Sequence, residues 1–444
     1  MAGDTRPFGD LFAAPPRNGL TRPKSVRGRG TKMVNMGELF AHPRLRDADM
    51  DRVPLSDSEA ERFLLRPGDL LFARQSLVLE GAGKCSIFVG DDEPVTFESH
   101  VTRVRLSPRE AEPQFYFYYL QSPHGRAVIR SIVEQGAGAS GIRGSDLATL
   151  AVHWRPVSEQ RAIAHVLGTL DDKIELNRRM NETLEAIARA LFKSWFVDFD
   201  PVRAKSEGRD PGLPPHLAEL FPDSFEDSEL GEVPRGWKVA PLGDIADVID
   251  CSHAKKPERR EHGWPLLQLS NIRADGLMDM TDTYLIDGSD YRAWTLRMEA
   301  SPGDCVITNV GRVGAVAQIP GGLTAALGRN MTGVRCKPSF ACPTFLLEAL
   351  LSEAFRNEVV LNTDTGTILD ALNVRSIPRL RLVLPDRDLT MRFEEIGRPI
   401  RAKMEANLEQ RRTLAALRDT VLPKLISGAI RVSNGPHSPL GGST

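Results

Sequence analysis

The chain has 444 residues, of which 41% are hydrophobic and 26% are charged, and its formal net charge is −2. This length predicts two or three domains, and the composition excludes a largely disordered chain. A net charge near zero excludes attraction of nucleic acid over the whole surface, so any DNA contact must come from local patches. The apolar runs are too short to span a membrane, the N-terminus shows no signal sequence, and the five cysteines form no CxxC pair. We therefore expect a cytoplasmic protein without a disulfide framework.

The first segment with a marked charge is basic: residues 17–32 carry six basic side chains and no acid. A loop of this kind is often only a solvated surface, so it does not by itself predict a DNA contact. Short strands are then predicted at 70–72, 86–89 and 101–106, separated by turns rich in Gly, Pro and Asp.

A long helix is predicted at 157–196, where apolar residues and Asn177 recur in steps of three and four. Residues 201–235 are rich in proline and acidic side chains, and because proline kinks a helix we interpret them as a junction. A second long helix is predicted at 387–427. Asn177 and Asn407 are predicted to face inward, where a polar residue can fix the register of paired helices. The alternative is that each helix packs only on its own domain.

The same order of elements occurs twice along the chain. Pro67-Gly68-Asp69 recurs as Pro302-Gly303-Asp304 at an offset of 235 residues, and six of the fourteen residues in 173–186 recur in 403–416 at a constant offset of 230. We infer a tandem duplication of an α+β domain followed by a long helix. The predicted divisions are a first recognition domain (1–156), a central helical region (157–200), the junction (201–235), a second recognition domain (236–386), a distal helical region (387–432) and a flexible tail (433–444).

Several motifs resemble one known family. The sequences SEQRAIA (158–164), LDDKIELN (170–177) and FKSWFVDFDP (192–201) resemble the central conserved region of the specificity subunits of type I restriction–modification systems, and LPKLISG (422–428) resembles their distal region. The resemblance covers essentially the whole chain. It implies two target-recognition domains, each of which reads one half of an asymmetric split DNA site, and two long helices that pair as an antiparallel coiled coil.

The resemblance also implies partners and a division of labour. Modification subunits, two in number, would carry S-adenosylmethionine and methylate adenine, and a restriction subunit would cut DNA with ATP and Mg²⁺. This chain would be non-catalytic, without a cofactor or metal of its own, and would dock its partners through the helices. The residues assigned to partner binding lie along the helical seam: Leu170, Ile174, Asn177, Leu184, Leu191, Met404, Asn407, Leu414 and Val421.

A search for catalytic motifs supports the non-catalytic interpretation. The sequence GAGKC (81–85) lacks the first glycine and the Ser/Thr of a phosphate loop, and the amino-methylation motif Asn/Asp-Pro-Pro-aromatic does not occur. Cys251 and His253 suggest a metal ligand pair, but no second pair completes the site. Two rival hypotheses remain: a stand-alone methyltransferase or nuclease, and a structural scaffold that does not read DNA.

Base-specific readout usually needs Arg or Lys on guanine and Asn or Gln on adenine. In the first domain we predict backbone or groove contacts for Lys24, Arg27, Arg29 and Lys32, and base contacts for Arg74, Gln75 and Arg143. The candidates in the second domain are Lys255, Lys256, Arg259, Arg260, Asn309, Arg312, Arg329 and Asn330. Because Arg74 and Asn309 occupy equivalent places after the Pro-Gly-Asp turn, the loop that carries them is the preferred DNA contact.

Overall fold

The structure is a computed structural model, and it describes residues 4–136, 138–364 and 370–432. The chain divides into two compact units. Unit 1 comprises residues 1–174 and 413–444, and unit 2 comprises residues 175–412. The predicted tail (433–444) lies outside the described residues.

The described residues of the first copy form thirteen strands and six α-helices. Its strands are β1 (Thr5–Pro7), β2 (Phe12–Asn18), β3 (Thr31–Val34), β4 (Arg44–Arg46), β5 (Asp51–Val53), β6 (Leu70–Ala73), β7 (Gln75–Ser76), β8 (Cys85–Gly90), β9 (Val95–Phe97), β10 (Val101–Leu106), β11 (Glu134–Gln135), β12 (Ser140–Gly141) and β13 (Ala151–His153). Its helices are α1 (Met36–Ala41), α2 (Asp57–Phe63), α3 (Pro113–Gln121), α4 (Pro123–Arg130), α5 (Gly144–Thr149) and α6 (Val157–Phe196).

The second copy begins after α6 and ends with an equally long helix. Its helices are α7 (Asp200–Ser206), α8 (Pro215–Ala218), α9 (Leu242–Ile245), α10 (Gly288–Trp294), α11 (Pro343–Leu351), α12 (Glu353–Leu361) and α13 (Arg387–Ser427). Its strands are β14 (Phe225–Ser228), β15 (Gly231–Pro234), β16 (Lys238–Pro241), β17 (Ala246–Asp250), β18 (Trp264–Leu267), β19 (Tyr284–Ile286), β20 (Cys305–Thr308), β21 (Val316–Gln318), β22 (Ala326–Leu327), β23 (Met331–Cys336), β24 (Thr363–Asp364), β25 (Ala371–Leu372) and β26 (Arg381–Leu384).

The main sheets of the two copies share the order of four strands, to which unit 1 adds a fifth, β4, and this confirms the predicted duplication. The main sheet of unit 1 has the order β2-β10-β6-β8-β4, and that of unit 2 has the order β17-β23-β20-β21. In each copy the strand that precedes the main sheet in sequence pairs antiparallel with the strand that precedes the long helix, β1 with β13 and β16 with β26. The fold class is therefore α+β, with two similar domains as predicted.

The recurrent Pro-Gly-Asp turn holds each sheet together. Gly68 has φ +92° and Gly303 has φ +89°, a left-handed conformation that favours glycine. The carboxylate of Asp69 is buried and pairs with Arg105 at 2.6 Å, and Asp304 pairs with Arg335 at 2.6 Å. The repeated motif is thus explained by strand packing, because its aspartate links the buried strand after the turn to its neighbour.

Both predicted long helices are confirmed: α6 has 40 residues and α13 has 41. Gly428 follows α13 with φ +78°, as a helix-ending glycine should. The first part of α6 and the last part of α13 contribute Ile163, Leu167, Leu422 and Leu425 to the core of unit 1. The remaining parts contribute Phe192 and Phe393, among others, to the core of unit 2.

The division into units falls within both long helices, and not at the predicted junction. Residues 201–235 form α7, α8 and a hairpin of β14 with β15. Val202 and Phe221 are buried in the core of unit 2, so this segment is a packed part of that unit. Pro201 and Pro215 lie in the first turns of α7 and α8, where proline is tolerated because no helical hydrogen bond is lost there. The boundaries of the two recognition domains stay a prediction.

Across the described residues, no helix combines the length and the apolar character that a membrane span requires.

Candidate nucleic-acid interface

The loop predicted as the main DNA contact has the same backbone arrangement in both units. Arg74 follows β6, donates its N–H to the carbonyl of His100 at 2.8 Å and accepts from Ile142 N–H at 2.9 Å. Asn309 follows β20, donates to the carbonyl of Asn330 at 2.8 Å and accepts from Leu372 N–H at 2.8 Å. The predicted equivalence of Arg74 and Asn309 is confirmed at the level of the backbone.

In unit 1 this loop forms one side of an open cleft. Arg74, Gln75 and Arg143, the three predicted base readers of the first domain, line the same cavity of about 310 Å³. Arg143 is 69% exposed and forms an ion pair of 2.8 Å with Glu134. Strand β7 continues into an exposed tip, where Leu77 is 89% exposed. The fold thus brings Arg143 to the same surface cleft as Arg74 and Gln75, although it lies almost 70 residues further along the chain.

The four basic residues predicted in segment 17–32 divide into two kinds. Arg27 forms hydrogen bonds with Asn35 and Asp51, both of 3.2 Å. Lys32 lies 2.8 Å from Asp91, and this hydrogen bond raises the pKa of the Lys32 ammonium group. Lys24 and Arg29 are exposed, and within the described ranges their side chains make no hydrogen bond or ion pair. Lys24 and Arg29 can therefore contact a phosphate without losing an internal partner. Arg27 and Lys32 would have to give up their bonds to Asp51 and Asp91.

In unit 2 the predicted basic segment lies beside an aromatic ring. Lys256 and Arg259 are placed over the ring of Tyr284, at 5.9 and 5.8 Å from its centroid. Arg259 also pairs with Asp282, and Arg260 lies 3.3 Å from Glu258. Lys255 is exposed like its neighbours.

The other second-domain candidates lie around the loop after β20. Arg312 and Arg329 are exposed, and each donates one hydrogen bond to a backbone carbonyl, of Ile272 and Ala254 respectively. Asn330 is exposed in a left-handed conformation with φ +63°. These three residues remain available for contact.

Asn309 does not fit its predicted role. Its side chain is 6% exposed, its amide nitrogen donates to the carbonyl of Leu372 at 3.2 Å, and its oxygen accepts from Thr332 at 2.9 Å. A buried amide with both ends engaged stabilises its own loop and cannot reach a base edge without leaving buried groups unpaired. We therefore withdraw Asn309 as a base reader.

Asp250, Cys251 and His253 form the one group that could approach a metal site among the residues the structure describes, with ligand atoms within 4.8 Å of each other. Asp250 is already bound by His253 at 2.9 Å and by Arg297 at 3.1 Å. Burial raises the pKa of the Cys251 thiol, which opposes the thiolate form that binds metals. That no metal belongs to this chain stays a prediction.

The seam between the long helices is polar in unit 2. Asn177 donates to Gln410 at 2.7 Å, Asn407 donates to Asn181 at 2.8 Å, and Asn181 donates to the carbonyl of Met404 at 2.9 Å. Residue numbers rise along α6 as they fall along α13, so the pairing is antiparallel. Asn177 and Asn407 are 0% and 1% exposed, which confirms that they face inward.

In unit 1 the same helices are joined by charge. Arg418 of α13 lies 2.7 Å from Asp171 of α6, and Asp171 also accepts a hydrogen bond of 2.7 Å from Tyr118 of α3. The alternative that each helix packs only on its own domain is wrong, because α6 and α13 contact each other within each unit.

The assignment of the seam residues to partner binding is wrong for three of the nine residues. Asn177, Met404 and Asn407 are buried between the helices of this chain and cannot serve as a docking surface. The other six are half-buried, and their role in partner binding stays a prediction: Leu170, Ile174, Leu184, Leu191, Leu414 and Val421.

Replacing Asn181 by leucine should destabilise unit 2, because the substitution leaves the Asn407 amide and the Met404 carbonyl buried without their partner. We expect a loss of about 1–3 kcal/mol in the free energy of unfolding, measured by urea titration. Thr183→Leu, at an exposed position of the same helix, is the control and should have little effect. An equal effect of both substitutions would show that the asparagine contacts do not stabilise the seam.

The chain is similar to known proteins of one family. Residues 32–186 match the type I restriction modification DNA specificity domain. The specificity subunit of the type I restriction enzyme HindI from Haemophilus influenzae is 24% identical, with 82% of this chain and 87% of the relative covered. The MjaIX specificity subunit of Methanocaldococcus jannaschii is 26% identical, with 74% and 71% covered. Along most of its length the chain resembles the type I restriction–modification specificity subunits, as its sequence motifs predict.

The fold agrees with this family. The crystal structure of the type I restriction–modification S subunit from M. genitalium superposes with a TM-score of 0.63 over 95% of each chain, at 16% identity. The relatives are specificity subunits, the non-catalytic component of these enzymes, and this resemblance agrees with the prediction that the chain has no catalytic centre of its own.

Sequence reasoning missed one group of side chains in unit 1. Arg17, Arg103 and Arg105 lie on neighbouring strands β2 and β10. The spacing of Arg103 and Arg105, two residues apart in a strand, could have revealed them, because such residues point to the same face.

Proposed function

We propose that the chain reads an asymmetric, bipartite double-stranded DNA site and directs modification and restriction subunits to it. The observation that carries this proposal is that the two units repeat one backbone loop with different side chains. After the equivalent strand, unit 1 presents Arg74 and Gln75, whereas unit 2 has the buried Asn309, with Arg312 exposed nearby. Two readers of the same shape but different chemistry suit two different half-sites.

The cleft of unit 1 has the chemistry of base readout. Arginine can donate two hydrogen bonds to guanine, and glutamine can pair with adenine through one donor and one acceptor. Arg74 and Gln75 are neighbours on one rim, and Arg143 lies on the cleft, where its ion-pair partner among the described residues is the exposed Glu134. Lys24 and Arg29 would contribute phosphate contacts, which position a domain without reading sequence.

The paired helices would set the spacing of the half-sites. A helix of 40 residues is roughly 60 Å long at about 1.5 Å per residue. Half-sites one DNA turn apart are separated by roughly 35 Å. The polar seam supports this role, because buried asparagines that bond to each other favour one register over others.

The partner subunits would dock on the outer faces of the same helices. Large apolar side chains are exposed there, including Leu176, Ile187 and Leu417. Two modification subunits would carry S-adenosylmethionine, the restriction subunit would use ATP and Mg²⁺, and this chain would hold no cofactor. All five cysteines are free thiols, which suits a protein of the reducing cytoplasm.

Methylome sequencing of the host with and without this chain tests the proposal. We expect one methyladenine motif, made of two unlike halves around a fixed spacer, to disappear when the chain is deleted and to return with a plasmid copy. If every methylated motif survives the deletion, the chain does not direct methylation. The structural scaffold hypothesis predicts that the purified chain shows no preference among DNA sequences.

A further inference from the structure

Five arginines contribute side-chain or backbone groups to one region of unit 1. Arg103 of β10 is the cross-strand neighbour of Arg17 on β2, so their side chains emerge from adjacent backbone positions. Arg103 donates a hydrogen bond of 3.2 Å to the carbonyl of Arg62. Arg105 and Arg66 both approach Asp69, Arg105 through its side chain at 2.6 Å and Arg66 through its backbone N–H at 2.8 Å. We call these five residues the arginine cluster.

The arginine cluster has one acidic partner. Asp69 pairs with Arg105. Over the ranges that the structure describes, no carboxylate lies within ion-pair distance of Arg17, Arg62, Arg66 or Arg103. Arg17 instead stacks on the ring of Phe63, with its guanidinium carbon 5.5 Å from the ring centroid. Four guanidinium groups are therefore left without a neutralising partner.

The positive charge of Arg103 lies in an energetically unfavourable, buried environment. Its side chain is 5% exposed and its Nε has no hydrogen-bond partner among the described residues. Burial, followed by the charge of Arg105, lowers the pKa of the Arg103 guanidinium. Buried charges are normally paired, because removing them from water is unfavourable. An arginine in this setting is explained when an anion completes its surroundings.

Unit 2 lacks the arginine cluster, although its strands are arranged in the same way. The residue equivalent to Arg103 is Gly333, where a Cβ atom would lie 2.1 Å from the Sδ atom of Met298. The equivalent of Arg105 is Arg335, which is paired with Asp304. The common fold therefore does not require the excess of positive charge, and it is a property of unit 1.

We infer that the arginine cluster of unit 1 is a phosphate-binding surface that contacts the DNA backbone next to the half-site read by this unit. Planar guanidinium groups bind phosphate oxygens through paired N–H donors, and Arg17, Arg62 and Arg66 are exposed around the buried Arg103. The inference rests on the proposed DNA-reading function. It assigns to these arginines affinity without sequence preference, because phosphates carry no base identity.

The test measures the salt dependence of DNA binding by the full-length chain, with cognate and scrambled duplexes. For Arg17→Ala/Arg66→Ala we expect weaker binding to both duplexes by a similar factor. The slope of log K against log salt should fall by about 0.9 for each lost phosphate contact, so by up to roughly 2. Arg17→Lys/Arg66→Lys should keep most of the slope, because a lysine charge still meets a phosphate. Arg209→Ala, in the acidic segment, is the control with one lost charge and should keep the wild-type slope.

Three outcomes would overturn the inference. The alanine variant could keep the wild-type slope, or it could lose affinity for the cognate duplex alone, which would make these arginines base readers. Inorganic phosphate could also raise the melting temperature of the wild type but not of the alanine variant while the DNA slope stays unchanged, which would identify a free phosphate as the ligand. If the wild-type chain itself does not distinguish the duplexes, the proposed function fails, whatever the variant does.

Discussion

Replacing residues 1–156 by the corresponding domain of a specificity subunit with a different target should change one half of the methylated motif and leave the other half unchanged. The physical reason is that residues 1–156 supply one core of unit 1 and most of the other, and that the predicted base readers Arg74, Gln75 and Arg143 all lie in that segment. The second copy and both long helices are retained. We therefore expect the second half-site and the spacer length to persist, as read by methylome sequencing.

The graft must preserve the contacts between the new domain and the retained helices. In the native chain Gln160 of α6 accepts from the backbone N–H of Glu112 at 2.8 Å, and Tyr118 donates to Asp171. A donor domain with Tyr at the position of Tyr118 is the suitable choice, and a graft of the native domain through the same joints is the control. A motif that stays unchanged, or that changes in both halves, would contradict the assignment of one reader to each copy.

Replacing Glu348 by alanine should be the most destabilising single substitution that we predict. Glu348 of α11 and Arg401 of α13 are 4% and 3% exposed and are joined by an ion pair, in which Arg401 Nε lies 2.7 Å from the carboxylate. Burial raises the pKa of the Glu348 carboxyl, and the charge of Arg401 opposes this shift. Removing the carboxylate leaves a buried guanidinium with the carbonyl of Asp275 as its remaining acceptor. The expected loss is about 3–5 kcal/mol of unfolding free energy, measured by urea titration.

Two further variants test whether the expected loss of stability comes from breaking the buried ion pair. Glu353→Ala removes an exposed carboxylate from α12 and should be nearly neutral. The double variant Glu348→Leu/Arg401→Met should recover most of the lost stability, because apolar residues of similar volume can replace a buried ion pair at little cost. A loss of less than about 1 kcal/mol for Glu348→Ala would mean that the pair is not buried in solution.

The sequence predicted the backbone positions of the candidate site residues but not their exposure. The offset of 235 residues placed Arg74 and Asn309 correctly at one backbone position. It could not show that Arg74 lines an open cleft while Asn309 is buried with both ends of its amide engaged. The exposure of a loop residue depends on which distant segments of the same unit pack against that loop. An internal repeat shows which positions are equivalent, but not which segments pack there.

For the helical seam, too, the sequence predicted part of the arrangement: the orientation of the asparagines, but not their partners. Periodicity identified Asn177 and Asn407 as inward-facing, and they are. It did not identify their partners, Gln410 and Asn181, because the partner is set by the register between two segments more than 200 residues apart. The buried polar pair next to the seam also changes between copies: Tyr118 with Asp171 in unit 1 corresponds to Glu348 with Arg401 in unit 2 at the offset of 230.

The duplication, the two long helices and the family resemblance could be predicted from the amino-acid sequence alone, because they depend on periodicity and on motifs that are local along the chain. The fold of the units was needed to show that the division into units falls within both helices and that residues 201–235 pack into unit 2. It was also needed to show that, among the described residues of unit 1, Arg105 alone of the arginine cluster has an acidic partner. These properties depend on contacts between residues that are distant in sequence. Such contacts, which determine burial and ion pairing, form only when the whole unit folds.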